Sequence, residues 1–162
     1  MILGLSLDTF TFLHVVASLI GIMTGFVLVA LMLHSAPLAG WNGFFLVSTA
    51  WTSISGFLFP TPMLVAAHVL GAISLVALAA ASLAIYGRRL AGRWRSTYVV
   101  GALVALYLNT FVCIVQLFDK FAYLNRLAPT ATELPYVLAQ VVVLVVFIVA
   151  GVAAVRRYRP LP

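Results

Sequence analysis

The chain has 162 residues, of which 65% are hydrophobic and only 7% charged, and its mean hydropathy is +1.21. Soluble domains carry roughly a quarter charged residues, so this composition excludes a water-soluble globular fold and predicts one all-α domain, an integral membrane helical bundle. The net charge of +6 is concentrated in two groups of arginines beside apolar segments, which argues against a nucleic-acid partner and for loop orientation in a bilayer.

The N-terminus, Met1 to Asp8, has no Lys or Arg ahead of the first apolar stretch. That stretch is therefore expected to persist as a membrane helix and not act as a cleaved leader. Phe10–Leu33 is a clear span, 24 residues against the ~20 needed. Trp41–Phe59 is shorter and more polar, with Asn42, Ser48, Thr49, Thr52, Ser53 and Ser55, and Pro60 and Pro62 break the chain after it. Its length reaches ~28 Å at about 1.5 Å per residue, so it is predicted to span. Its hydroxyls suit a centrally buried helix, where they bond to their own or neighbouring helices. The alternative is a re-entrant or interfacial segment, which leaves four spans. Met63–Tyr86, Thr97–Phe118 and Pro135–Val155 complete a predicted set of five.

Arg88, Arg89, Arg93 and Arg95 follow the third segment, and Arg156, Arg157 and Arg159 follow the fifth. Both groups are predicted to be cytoplasmic. The loop from Asp119 to Leu134, with Lys120 and Arg126 against Asp119 and Glu133, then lies outside, as does the N-terminus if there are five spans. The expected location is a bacterial inner membrane with a cytoplasmic C-terminus. One cysteine, Cys113, excludes a disulfide framework.

His14 and His68 are the candidate site, because ionisable side chains inside a bilayer are rare and costly. Each shares a helical face with small residues: His14 with Ser18, Gly21 and Gly25, and His68 with Gly71, Ala72, Leu75 and Ala79. With five spans the two lie at one depth, ~6–8 Å below the outer edge. The stripe Asn109, Cys113, Gln116, Lys120 runs toward that same edge, and Tyr136 and Gln140 start the last helix there. The inner halves of the third and fifth segments are nearly free of polar side chains. The pattern predicts a polar pocket opening on the periplasmic side. With four spans, His34 and His68 would share the outer side, and His14 would sit near the cytoplasm.

Two imidazoles on facing helices are able to ligate one b-type haem. Alternatively Asn109, Gln116, Tyr136 and Gln140 would hydrogen-bond a quinone. The plain reading is neutral histidines bonded within the bundle and amides acting as glue between helices. Trp41 and Trp94 suit the membrane interfaces, Trp51 suits packing, and Asp119 with Lys120 suits a boundary ion pair. No phosphate-binding, dinucleotide-binding, zinc-protease or haem-attachment motif is present, and no metal site is predicted. The preferred expectation is a small redox-type membrane protein with haem b or quinone as cofactor. Its rivals are a non-enzymatic accessory or structural subunit of a larger membrane complex, and an oligomeric small-solute permease. The lipid bilayer and a homo-oligomer or membrane complex are the expected partners.

Several strings carry a resemblance: Gly56-Phe-Leu-Phe-Pro60, His68 with Gly71 and Ser74, Gly92-Arg-Trp-Arg-Ser-Thr-Tyr-Val99, Tyr107-Leu-Asn109, Phe111-Val112, Gln116, Phe118, Lys120, Leu127-Ala-Pro-Thr130 and Ala139-Gln140. Together they resemble a family of small uncharacterised bacterial integral membrane proteins, mostly proteobacterial, over most of the chain. The resemblance implies an inner-membrane location and no mechanism. The chain differs from four-histidine dihaem cytochromes of the b type, having three histidines in all.

Overall fold

The computed structural model describes residues 1–60 and 66–159. Among these residues six helices follow one another: α1 Leu7–Leu33, α2 Ala39–Gly56, α3 Ala66–Ser82, α4 Arg93–Lys120, α5 Ala122–Leu127 and α6 Leu134–Arg157. A π-helical turn, Leu83–Gly87, prolongs α3. The expected start of the third segment at Met63 and the break at Pro62 lie outside the described residues. α1, α4 and α6 overrun their apolar cores, because backbone hydrogen bonding does not stop where hydropathy falls, whereas α2 ends at Gly56, short of the expected Phe59. Ser6 caps α1, its hydroxyl accepting from the Thr9 N–H at 3.1 Å, so the helix begins three residues before Phe10. Arg93 and Arg95 belong to the first turn of α4, and Asp119 and Lys120 to its last. Pro135 opens α6, where its missing N–H costs nothing. In the turn before it, Glu133 accepts from the backbone N–H groups of Thr130 and Thr132 and from the Thr130 hydroxyl. Desolvation pushes this carboxyl up, but those bonds together outweigh it and hold it below the usual carboxylate range.

The five long helices alternate in direction. His14, Gly21 and Gly25 of α1 meet Ser55, Thr49 and Phe45 of α2 in turn, so the pair is antiparallel along its length. Ser53 meets Ser74, and Asn42 meets Tyr86 beyond the end of α3, so α3 runs back against α2. Gly101 lies against Ala77 and Ala81 of α3, while Phe111 and Tyr107 of α4 meet Gln140 and Phe147 of α6. α1 and α3 consequently point the same way, and α2 carries the chain back between them.

All seven arginines of the two basic groups gather at one end of the bundle, and His14 and His68 lie toward the other. The basic end is tied together by polar bonds. The Arg95 guanidinium donates to the carbonyls of Val155 and Tyr158, capping the C-terminus of α6. Ser35 donates to the Arg157 carbonyl at 2.7 Å and accepts from the Arg159 N–H at 3.1 Å.

The central helix is α4, packed against α1, α3 and α6 with Val99, Ala102, Ala105 and Leu106 fully inside. That corrects the expectation that the hydroxyl-rich α2 would be central. Its hydroxyls do bond back along the helix, Ser48 to the Phe44 carbonyl and Thr52 to that of Ser48. Its other face is an outward stripe of Trp41, Phe44, Val47, Trp51 and Ile54. Trp51 is thus on the outer surface and not in the packing, because the helix turns its small and polar residues inward instead. Among the described residues, four helices are long and apolar enough to cross a membrane: Leu7–Leu33, Ala67–Gly87, Arg93–Lys120 and Leu134–Arg157. The chain is a multi-pass membrane protein built as a helical bundle.

Candidate functional site around the end of helix α2

The last turn of α2 forms the middle of the histidine end. The His14 Nδ1 lies 2.8 Å from the Ser55 Oγ, which in turn lies 2.6 Å from the Trp51 carbonyl. The Ser55 Oγ also reaches the Thr52 carbonyl at 3.2 Å, and its contact with the ring ties α1 to α2 whichever of the two groups donates. The ring also stands edge-on to Phe59, centroids 5.1 Å apart, and Phe59 in turn meets Phe10 at 5.2 Å. On the other flank, His68 tilts against Phe57 at 5.3 Å. The same Phe57 ring covers Gly71, where an added Cβ would sit 3.2 Å from it. The His68 Nδ1 is buried and has no hydrogen-bond partner among the described residues. The two predicted ligands therefore lie either side of the α2 terminus, each against its own phenylalanine.

One turn deeper, Ser18 donates to the Asn109 Oδ1 at 2.7 Å, and the Asn109 Nδ2 donates to the Ser18 carbonyl at 3.3 Å. Gly21 makes this approach feasible. A Cβ there would lie 2.8 Å from the Thr49 Oγ1, 3.2 Å from the Asn109 Nδ2 and 3.3 Å from the Ser48 Oγ. Thr49 is buried with that oxygen unpartnered. Across α4, the Gln140 Nε2 donates to the Phe111 carbonyl and to the Tyr136 hydroxyl, both at 3.3 Å, while its Oε1 is buried and unpartnered. Tyr136 rests edge-on against Phe118 at 5.4 Å. Gln116 is exposed on α4 and bonds to none of these residues.

The predicted residues other than Gln116 thus divide into three groups: His14 of α1 and Asn109 of α4 on either side of Ser18, His68 on α3, and Gln140 with Tyr136 between α4 and α6. Asp119 and Lys120 form an exposed ion pair of 2.8 Å, as their position at the segment end suggested. Ser55, Phe57 and Phe59 are the members that sequence reasoning missed. Their signal was the polar end of the second segment, at the histidines' own depth.

A second correction concerns the other half of the bundle, expected to be plain and apolar. There the Tyr98 hydroxyl donates to the Asn42 Oδ1 at 2.6 Å, and the Asn42 Nδ2 donates to the Tyr86 hydroxyl at 2.9 Å. Asn42 and Tyr98 are fully buried, so three helices are joined by one polar knot. Each residue sits at a segment end, where a tyrosine or asparagine reads as interfacial and its inward rotation is invisible.

Compared with family models, with curated proteins and with solved structures, the chain finds no match.

Proposed function

We propose that this is a five-span bacterial inner-membrane protein acting as a non-enzymatic structural or accessory subunit, of the small proteobacterial kind its motifs resemble. One observation carries the reading: the polar groups of the membrane interior are used chiefly to join helices. His14–Ser55 and Ser18–Asn109 fix α1 against α2 and α4, Ser53–Ser74 joins α2 to α3, and Gln140 fixes α6 to α4. Each such bond is worth about 0.6–2 kcal/mol in a membrane, enough together to select one packing of otherwise similar apolar helices. A haem held between His14 and His68 is not favoured by this arrangement, since the terminal turn of α2 stands between the rings.

The purified, detergent-solubilised protein is expected to show no Soret band, oxidised or dithionite-reduced. His14→Ala is expected to lower the unfolding temperature without altering any spectrum. A reduced α band that disappears in His14→Ala would overturn the reading.

A second reading rests on the His68 Nδ1. A buried ring nitrogen without a partner costs about 1–3 kcal/mol, which a small hydrogen-bonding ligand of quinone type would recover. Quinone co-purifying with the protein, and lost from His68→Leu, would favour it.

The alternating directions support α2 as a crossing helix. Were it re-entrant, α1 and α3 would be successive spans and would have to run oppositely. The basic end is then cytoplasmic and the N-terminus outside. In a Cys113→Ser background, a membrane-impermeant maleimide is expected to label Leu5→Cys in intact cells and Ala91→Cys only after permeabilisation. Protection of both before permeabilisation would remove the fifth span.

A further inference from the structure

We infer that the basic end of α6 is a binding site for one anionic phospholipid, its phosphate on Arg156 and an acyl chain lying in the apolar groove between α4 and α6. Arg156 closes one turn above Val152 and two above Ile148, so the three form a single raised stripe along the helix. On one side of the stripe is an apolar hollow of about 410 Å³ between α4 and α6, walled by Leu103, Tyr107, Phe147 and Gly151. Ile148, Val152 and Arg156 border it on the α6 side. There is free space beside Gly151, where an added Cβ would meet only Leu103, at an ordinary 3.6 Å.

Charge complementarity identifies the occupant. Among the described residues the one ion pair is Asp119–Lys120, at the opposite end, so no carboxylate neutralises the arginines. Arg95 is held by two carbonyls, and Arg88 lies over the Trp94 ring at 5.2 Å. Arg156 and Arg157 remain exposed, and Arg93 begins α4 on the face that continues upward from Val100 and Val104. Guanidinium groups at the head of an apolar groove match a lipid with a net negative headgroup. A zwitterionic lipid offers the same chains without the charge. The site does not depend on which leaflet the basic end faces.

The test uses the whole protein, delipidated in detergent, with phosphatidylglycerol or phosphatidylcholine of matched chains added and bound lipid counted by native mass spectrometry. Phosphatidylglycerol is expected to bind more tightly than phosphatidylcholine. Arg156→Gln should weaken phosphatidylglycerol roughly fivefold and leave phosphatidylcholine unchanged, the fold-change that one arginine near an anionic surface confers. Gly151→Leu, which fills the hollow without touching charge, should weaken both lipids. Equal binding of the two lipids by the unaltered protein would overturn the proposal, as would unchanged phosphatidylglycerol binding by Arg156→Gln. So would displacement of the lipid by inorganic phosphate alone, which would mark a simple anion site.

Discussion

Gly101→Leu is expected to be the most destabilising single substitution in the bundle, costing roughly 3 kcal/mol or more, the upper range for overpacking a closely fitted contact. Gly101 lies where α4 meets α3. A Cβ there would stand 2.7 Å from the Ala77 carbonyl oxygen, 3.3 Å from the Ala81 Cβ and 3.4 Å from the Ala81 nitrogen. The first and third are backbone atoms of a helix, and no rotamer change moves them out of the way. The two helices must separate, and the knot at Asn42 and the core around Val99 and Ala102 separate with them. Gly25 differs instructively: its virtual Cβ meets the tips of Leu106 and Phe45, side chains able to shift in part. The comparison to run is thermal unfolding in detergent of Gly101→Leu, Gly25→Leu and Gly40→Ala. Gly40 has nothing within 4 Å of an added Cβ, so alanine there should be neutral or stabilising by up to about 1 kcal/mol through helix propensity. If Gly101→Leu unfolds where Gly40→Ala does, the close α3–α4 contact is wrong.

Asn42→Leu should be the next most damaging change, at about 1–3 kcal/mol, the cost of leaving a buried hydroxyl unpaired. Tyr98 has 0% of its surface exposed and Asn42 3%, so neither finds water when its partner is lost. Tyr86, 65% exposed, can turn to solvent or a headgroup and contributes little to the loss. Tyr98→Phe alone strands the Asn42 Oδ1 and should cost a similar amount. The two substitutions together remove both ends of one bond and should cost clearly less than the sum, a positive coupling of the kind a double-mutant cycle isolates. Strictly additive losses would show that the Tyr98–Asn42 bond contributes nothing to stability.

Much of the candidate site was legible before any fold was known, and its failures are informative. Helical spacing placed His14, Ser18 and Gly21 on one face, and α1 turns that face to α2 and α4. Depth counted from segment ends placed Asn109 and Gln140 in the same half as the histidines, and they are buried there. Gln116 follows Asn109 by seven residues, nearly two turns, so spacing alone put both inward. At that level α6 covers the Phe118 face of α4 and leaves Gln116 exposed. Asn42, Tyr86 and Tyr98 were missed for a related reason: each stands at a segment end, yet α2 and α4 bring Asn42 and Tyr98 together at full burial. Hydropathy reports whether a residue can enter lipid. It does not report the rotation of its helix.

By itself, therefore, the sequence determined the all-α class of the molecule, the end at which the arginines gather and the rough depth of His14, Asn109 and Gln140. These follow from composition and from a fixed rise per residue along a helix. Tertiary structure alone decided that α4 is central, that α2 returns antiparallel along α1, and that the end of α2 stands between His14 and His68. In a bilayer, lipid chains are as apolar as the helix faces they cover, so hydrophobicity cannot rank one packing above another. Close approach at Gly21 and Gly101 and a few interhelical hydrogen bonds make that choice, and those depend on which side chains meet.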